Sequence, residues 1–284
     1  MKRTNYHIHT LWCDGSASCA EMAKAAYDAG MDSIGFSSHF TMTYPDDCGI
    51  EAELIPDYLR ETARIRSVYE PLGMEVLTSF EADYYMDTGA FSPEFAAVRP
   101  KLDYTIGSIH TMGFRDDGEM GIIDAFPEKF VESIRQIYGT EQAFAEAYYG
   151  AVGDMAEREK PDIVGHLDLL KKNNFILGRS AVDTGTKAYR DAAFEALRRI
   201  RDAGCILEIN TGGIARYTNP GLLYPDPELT AEAVRLGIPL MINGDSHSTE
   251  GIDTYYTQAE ELLRSLGVRT LMRRGQNGWE EAPL

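Results

Sequence analysis

The sequence predicts an α/β barrel. Two observations carry that prediction. Short apolar runs ending in polar clusters alternate with helical patterns at least seven times along the chain. The 284 residues are long for one ordinary domain and short for two, yet suit a single (β/α) barrel. Strand followed by helix, repeated, implies parallel strands joined by right-handed crossovers. A doubly wound open sheet is the second architecture. No Gly-x-Gly-x-x-Gly follows the first strand, which weakens a dinucleotide-binding reading.

Each element has its own signal. Residues 5–9 read as a first strand, and 17–29 as a helix with Ala20, Met22, Ala23 and Ala26 in helical period and Gly30 as its stop. Residues 33–37 are a second strand. A helix over 56–69 opens with proline, which suits a first helical turn. Strands follow at 75–80 and 103–109, then helices at 127–138 and 141–159. A short strand at 162–165 precedes a long helix at 186–203. Strands at 205–209 and 239–242 flank a helix at 227–236. A helix at 255–266 and a short strand at 268–272 complete the series. The stretches 111–126 and 211–226 read as long loops, which in compact domains serve as lids or binding loops. There is no internal repeat, low-complexity segment or linker, so residues 1–284 are expected to form one domain.

Composition narrows the function. The chain is 44% hydrophobic and 25% charged, as in a soluble globular protein. Its size lets it fold without a disulfide or structural metal, so a metal site would be functional. The net charge of −18 argues against nucleic-acid and membrane-surface partners, which need a cationic face, but permits a small anion held by local cations. Cys13, Cys19, Cys48 and Cys205 form no Cys-x-x-Cys pair. No signal peptide or membrane-spanning run is apparent, so a reducing cytoplasm is the expected location. Oligomeric state is not encoded in any visible feature.

The six histidines carry the chemistry. His7 and His9 lie one residue apart on the first strand, facing one side. His39, His110, His166 and His247 each end or follow an apolar strand. Asp14, Glu81 and Asp245 occupy matching places. One such histidine is ordinarily a satisfied core residue. Six histidines and three carboxylates at strand ends converge on one rim of a barrel, where active sites lie. Imidazole with carboxylate suits zinc, iron or manganese. Nine ligands exceed the needs of one tetrahedral ion, so two or three divalent transition-metal ions are expected. Glu81, with two oxygens, is the natural bridge.

The ordered set His7-x-His9, Cys13-Asp14-Gly15, His39, Glu81, His110, His166 and Asp245-x-His247 resembles the PHP (polymerase and histidinol phosphatase) phosphoesterases, over residues 6 to 255. Glu81-Ala-Asp83-Tyr, Gly107-Ser-Ile-His110, Gly165-His-Leu-Asp-Leu-Leu-Lys171 and Glu208-Ile-Asn-Thr-Gly-Gly-Ile-Ala-Arg216 are similar to its histidinol-phosphatase branch. The resemblance implies a distorted TIM-like barrel of seven strands and helices, (β/α)7, with a trinuclear centre. One metal would use His7, His9, Glu81 and Asp245; a second Asp14, His39 and His247; a third Glu81, His110 and His166. It further implies hydrolysis of L-histidinol phosphate to L-histidinol and phosphate, in histidine biosynthesis. Two departures stand out. Gly244 replaces a frequent serine, and Lys171 a frequent arginine that would make a bidentate fork.

On that reading Arg216 clamps the phosphate as charge redistributes, where otherwise it would be a solvated loop arginine. Lys171 is a second phosphate contact, with one of Lys171 and Lys172 left to solvent. Asn210 reaches the phosphate or a substrate amine, or else caps a turn. Asp83 meets the amine or imidazole of the substrate. Asp14, His247 or a water assists the leaving alkoxide. Cys13 reads as a buried structural cysteine rather than a thiolate ligand. Tyr84, Tyr85, Tyr217 and Tyr224 line the pocket or pack. Other classes stay open: a PHP phosphoesterase for another small phosphate ester or nucleotide, an amidohydrolase-like hydrolase, and a non-catalytic metal-binding module. The amidohydrolase reading expects a strand-end lysine before His110, and none is present.

Overall fold

A computed structural model describes residues 3–44, 48–124, 126–275 and 277–284. Residue 125, within the predicted 111–126 loop, lies outside the described residues. In chain order the elements are β1 (Thr4–Ile8), α1 (Cys19–Asp28), β2 (Ser33–Phe36), α2 (Ile55–Tyr69), β3 (Glu75–Thr78), β4 (Glu81–Asp83) and α3 (Pro93–Val98). Next come β5 (Ile106–Ser108), β6 (Thr111–Phe114), β7 (Met120–Ile122), α4 (Pro127–Ser133), α5 (Glu141–Arg158) and β8 (Ile163–Val164). Then follow α6 (Lys172–Leu177), α7 (Lys187–Ala203), β9 (Ile206–Asn210), α8 (Gly212–Tyr217) and α9 (Pro227–Leu236). The last are β10 (Leu240–Asn243), α10 (Tyr256–Ser265), β11 (Thr270–Gly275) and β12 (Gly278–Pro283).

Local chemistry sets the helix ends. Ser18 and Glu21 form a reciprocal capping box at α1: Glu21 N donates to Ser18 Oγ at 3.3 Å, and Ser18 N to Glu21 Oε2 at 2.8 Å. Thr186 and Asp226 cap α7 and α9, and left-handed Gly204 and Gly237 end them. Because Thr186 is the cap, α7 begins one residue later than its periodicity predicts.

The strands form a ring. β1, β2 and β3 pair in parallel, and β4, β5, β8, β9 and β10 pair in parallel in that order. Two isolated parallel bridges join these arcs, His39 with Glu81 and Ile8 with Ser246. The second is made by His9 N donating to Ser246 O at 2.9 Å and Ser246 N to His7 O at 3.0 Å. The result is a distorted (β/α)7 barrel, and its distortion lies at the third position. The predicted strand 75–80 breaks after Thr78, where Ser79 Oγ donates to Tyr104 O at 2.8 Å. Glu81 therefore opens β4 instead of ending β3, and pairs with Ile106 of β5.

Three predicted features differ. The 111–126 loop contains an antiparallel hairpin, β6 with β7. The 211–226 loop contains α8, whose Gly-Gly start hides its helical period. The predicted strand 268–272 belongs to an antiparallel hairpin, β11 with β12, that covers the amino-terminal mouth of the ring. There Tyr6, Leu77, Tyr104, Ile106, Ile163, Ile206 and Met241 pack inside the ring against Trp279 and Met272. A register shift in β1 lets Tyr6 join this floor while His7 also faces inward. Tyr6, Tyr104 and Trp279 meet edge to face at 5.4–5.9 Å. Trp279 Nε1 donates to Asp162 Oδ1 at 2.9 Å, and Arg274 N to the Tyr6 hydroxyl at 2.9 Å. The larger apolar core fills the space between ring and helices.

Gly35 of β2 makes room for this floor: a methyl group there would lie 2.0 Å from the Tyr104 hydroxyl oxygen. Gly35→Ala is expected to lower the unfolding free energy by about 1–3 kcal/mol, the usual cost of overpacking. The urea midpoint measures it, and an unchanged midpoint would mean that the floor has slack the geometry does not show.

Candidate metal centre

The opposite, carboxyl-terminal mouth of the ring collects all nine predicted ligands. His7 and His9 come from the end of β1, Asp14 from the following loop, His39 from beyond β2, and Glu81 from the start of β4. His110 and His166 follow β5 and β8, and Asp245 and His247 follow β10. Asp245 holds a left-handed backbone with φ of 45°, a conformation that an L-residue adopts at a cost and that recurs at functional sites. The adjoining Gly244 has a steric reason: a Cβ there would lie 2.4 Å from Ser246 Oγ and 2.7 Å from Asn5 Nδ2.

Glu81 sits at the centre, 1% exposed. Its Oε2 faces His7 Nε2 at 3.2 Å, His9 Nε2 at 3.4 Å and His39 Nδ1 at 3.2 Å. Asp245 Oδ1 completes the first group, 3.2 Å from His9 Nε2 and 3.6 Å from His7 Nε2. On the other side Glu81 Oε1 lies 2.9 Å from His166 Nε2 and 3.7 Å from His110 Nε2. Toward the rim, Asp14 Oδ2 lies 3.2 Å from His247 Nε2, and Asp14 Oδ1 lies 3.4 Å from His9 Nδ1 and 3.9 Å from His39 Nε2.

These atoms fit cations. His7 Nε2, His9 Nε2 and His39 Nδ1 are buried and have no hydrogen-bond partner among the described residues. Metal–ligand bonds of about 2.0–2.1 Å place tetrahedral ligand atoms roughly 3.3 Å apart, close to the spacings around Glu81 Oε2 and Asp245 Oδ1. Three groups can each hold an ion: His9, Asp14, His39 and His247; His7, His9 and Glu81; and His39, Glu81 and His110. The geometry thus lets His9 and His39 serve more than one group.

Protons and charges compensate one another here. Burial disfavours a charged His7, but the Glu208, Glu81 and Asp245 carboxylates overcome it and hold its pKa well above the ordinary value. Burial likewise opposes ionisation of Glu81, and the surrounding histidines His7, His39 and His110 hold its pKa well below normal. His110 rises to about 9 because Asp83 and Glu81 outweigh its burial, whereas burial takes His39 down to about 3.

Behind the ligands stand residues that fix them. His110 Nδ1 meets Asp83 Oδ1 at 2.5 Å, so Asp83, 5% exposed, backs a ligand instead of facing the cavity. Asn210 is buried; its Nδ2 donates to Glu208 Oε2 at 2.8 Å and to Asp245 Oδ2 at 3.3 Å, and its Oδ1 accepts from Gly212 N at 2.8 Å. The turn role of Asn210 is the one the structure displays. Cys13 Sγ lies 3.5 Å from His9 Nδ1. Glu208 contacts His7 Nδ1 at 2.7 Å; the sequence marks it only as the first residue of the run Glu208–Arg216, although a glutamate inside Ile-Leu-Glu-Ile-Asn is itself a signal.

The cavity above the cluster is lined by Asp124, Lys172, Arg216, Tyr217 and Tyr224. Arg216 is exposed, on the last turn of α8, and makes no hydrogen bond or ion pair with the described residues. Lys171 does not line this cavity. Its ammonium donates to Leu223 O at 2.5 Å, pairs with Asp168 Oδ2 at 2.8 Å and lies over the Tyr224 ring. Neither Lys171 nor Lys172 is solvated; Lys172 is buried, pairs with Asp124, and its pKa is down to about 8 through burial and the neighbouring Arg216. Of the four tyrosines, Tyr217 and Tyr224 line the cavity. Tyr84 packs on Phe91, and the Tyr85 hydroxyl accepts from Thr43 N at 3.1 Å. A cleft of 650 Å³ adjoins the cavity beneath the β6–β7 hairpin, with Met42, Phe114, Met120, Ile122 and Phe126 on its walls.

Known proteins share this fold. A probable histidinol-phosphatase of Deinococcus radiodurans is 27% identical over 271 residues, 94% of this chain and 95% of the relative. The crystal structure of a provisionally assigned histidinol phosphatase of Listeria monocytogenes superposes with a TM-score of 0.79 at 23% identity, over 90% of this chain and 99% of that one. A histidinol phosphate phosphatase of Lactococcus lactis, solved with zinc, L-histidinol and phosphate, gives a TM-score of 0.68 at 17% identity, over 98% and 99% of the two chains. Residues 5–212 match the PHP domain, and with that match over most of its length the chain belongs to the PHP domain family.

Proposed function

We propose that this chain is a metal-dependent phosphomonoesterase that hydrolyses L-histidinol phosphate to L-histidinol and phosphate, working as one unit over its whole length. The observation that carries the reading is the gathering of five histidines around Glu81, with Asp14, Asp245 and His247 completing the cluster, beneath a cavity whose rim bears the uncommitted guanidinium of Arg216. The substrate follows the names of the full-length relatives: the Deinococcus protein is a probable histidinol-phosphatase, and the Lactococcus structure holds L-histidinol and phosphate.

The residues fit two or three divalent ions, with zinc, the ion in the Lactococcus protein, as the first choice and iron or manganese as alternatives of similar ligand preference. His7, His9, Glu81 and Asp245 would hold one, Asp14, His39 and His247 a second, and Glu81, His110 and His166 a third. When bound, such ions supply Lewis acidity and a water of lowered pKa for in-line attack on phosphorus. The rest falls to the chain. Arg216 approaches the phosphoryl oxygens from the rim and neutralises charge there, with Lys172 as the nearer-buried second cation. Asp14 and His247, with side chains 28% and 19% exposed, are the cluster members most open to solvent, so the leaving oxygen gains its proton on that side. Asp83 and Asn210 serve by holding His110 and Asp245.

Glu81→Ala is expected to remove at least one metal equivalent per chain and to lower turnover by roughly two to three decades, the equivalent of several kcal/mol. Metal analysis and phosphate release from the same preparation check it. Full metal content with near-normal turnover would show that Glu81 is not the bridge.

Arg216→Ala should retain its metals, since Arg216 touches no ligand. A charge-assisted hydrogen bond to an anion contributes about 1.5–3 kcal/mol, or one to two decades in kcat/KM, with the loss in KM if ground and transition states are bound alike. Arg216→Lys should recover part of the loss. Steady-state hydrolysis of histidinol phosphate, beside a panel of other phosphomonoesters, is the measurement. An unchanged kcat/KM would transfer phosphate binding to Lys172, and a faster panel member would transfer the substrate.

A further inference from the structure

Glu208 lies below the ligand cluster, fully buried in β9, and approaches neither the cavity nor the rim. Its two oxygens take four contacts. Oε1 meets His7 Nδ1 at 2.7 Å and accepts from Asn243 Nδ2 at 2.9 Å. Oε2 accepts from His166 N at 2.9 Å and Asn210 Nδ2 at 2.8 Å. A carboxylate offers about four acceptor positions and no donor. All four are matched here, and three of the four partners either are candidate ligands or hold one: His7, His166, and Asn210 through Asp245.

We propose that Glu208 is the positioning residue of the metal centre: it fixes His7 as the tautomer protonated at Nδ1 and thereby aims Nε2 at the ion shared with His9, Glu81 and Asp245. This rests on the metal-dependent reading above. A neutral imidazole carries its proton on one nitrogen only, and the partner of that nitrogen decides which. An acceptor-only group at 2.7 Å from Nδ1 keeps a proton there, so Nε2 is the nitrogen whose lone pair is given to a metal. Nε2 of His7 has no hydrogen-bond partner among the described residues. The backbone of His166 and the amide of Asn210 hang from the other oxygen, so the same carboxylate sets the relative heights of β1, β8, β9 and β10 at the rim. Glutamine cannot replace it. A side-chain amide turned toward His7 would present N–H to Nδ1 and drive the proton to Nε2. Turned the other way, it would oppose the His166 N–H and the Asn210 amide.

The test compares wild type, Glu208→Gln and Trp279→Phe, each stripped of metal and titrated with cobalt(II) alone under chelator competition. Trp279→Phe removes a hydrogen bond to Asp162 Oδ1 in the hairpin that closes the barrel floor, at the mouth opposite the ligands. In folded Glu208→Gln at least one cobalt equivalent should bind 10- to 100-fold more weakly, the usual loss when a group behind a metal-binding histidine is removed. Trp279→Phe should lower the unfolding midpoint and leave cobalt affinity unchanged. Wild-type affinity for every equivalent in folded Glu208→Gln would overturn the proposal and leave the metal reading intact. A wild type that takes up no cobalt would overturn the metal reading itself. Should Glu208→Gln not fold, nitrogen-15 histidine spectra of the zinc-loaded wild type decide: a slowly exchanging proton on His7 Nδ1 supports the proposal, and a ring lacking it overturns it.

Discussion

A carboxylate buried among imidazoles governs this architecture. Glu81 is almost completely removed from water, at a point where five histidine rings approach its two oxygens. An isolated buried carboxylate would be prohibitively costly, and burial alone would favour its neutral form. Positive charge in its surroundings reverses that preference. The break between β3 and β4 belongs to the same constraint. It lets the chain step from the first arc of the ring to the second at Ser79, so that Glu81 reaches the axis instead of the wall.

Around that centre the supports come in layers. Asp83 holds His110, Glu208 holds His7, and Asn210 ties Glu208 to Asp245. Below them the ring interior turns apolar, with Tyr6, Tyr104 and Trp279 forming the floor. Above, the loop that carries Arg216 and Tyr224 is fastened by a buried ion pair: Lys171 joins Asp168 to Leu223 O, and Asp226 N donates to Asp168 Oδ2 at 3.0 Å. Breaking a buried pair on one side leaves an uncompensated charge. Lys171 thus belongs to the loop's anchorage, while the neighbouring Lys172 faces the cavity.

The rim was legible in the sequence because parallel strands put their carboxyl ends in one place, and His110, His166 and Asp245 stand at such ends. The barrel class followed from the same alternation. What could not be read are relations across space. Lys171 and Lys172 are adjacent and chemically alike, and only the turn before α6 decides which one points inward. Asp83 and Asn210 looked like substrate contacts because their strands end at the site, but the donors that claim them, His110 and Gly212, depend on packing between elements. The β6–β7 hairpin, and β12 as the partner of the predicted strand 268–272, do not show in the sequence because strands flanked by glycine carry little period.

The seam of the ring also has a consequence for how the chain is made. Tyr6 N donates to the side chain of Asn243 across a separation of 237 residues, and β1 has no neighbour on that side until the segment around Ser246 arrives. At about 5–20 residues per second, synthesis of the intervening stretch takes on the order of ten to fifty seconds. Throughout that interval β1 would be an unpaired strand edge, the kind of surface on which nascent chains join one another. The catalytic rim inherits the delay. His7 and His9 leave the ribosome more than 200 residues ahead of Asp245 and His247, which share their cluster. No ribosome-bound fragment ending before them can assemble the whole centre.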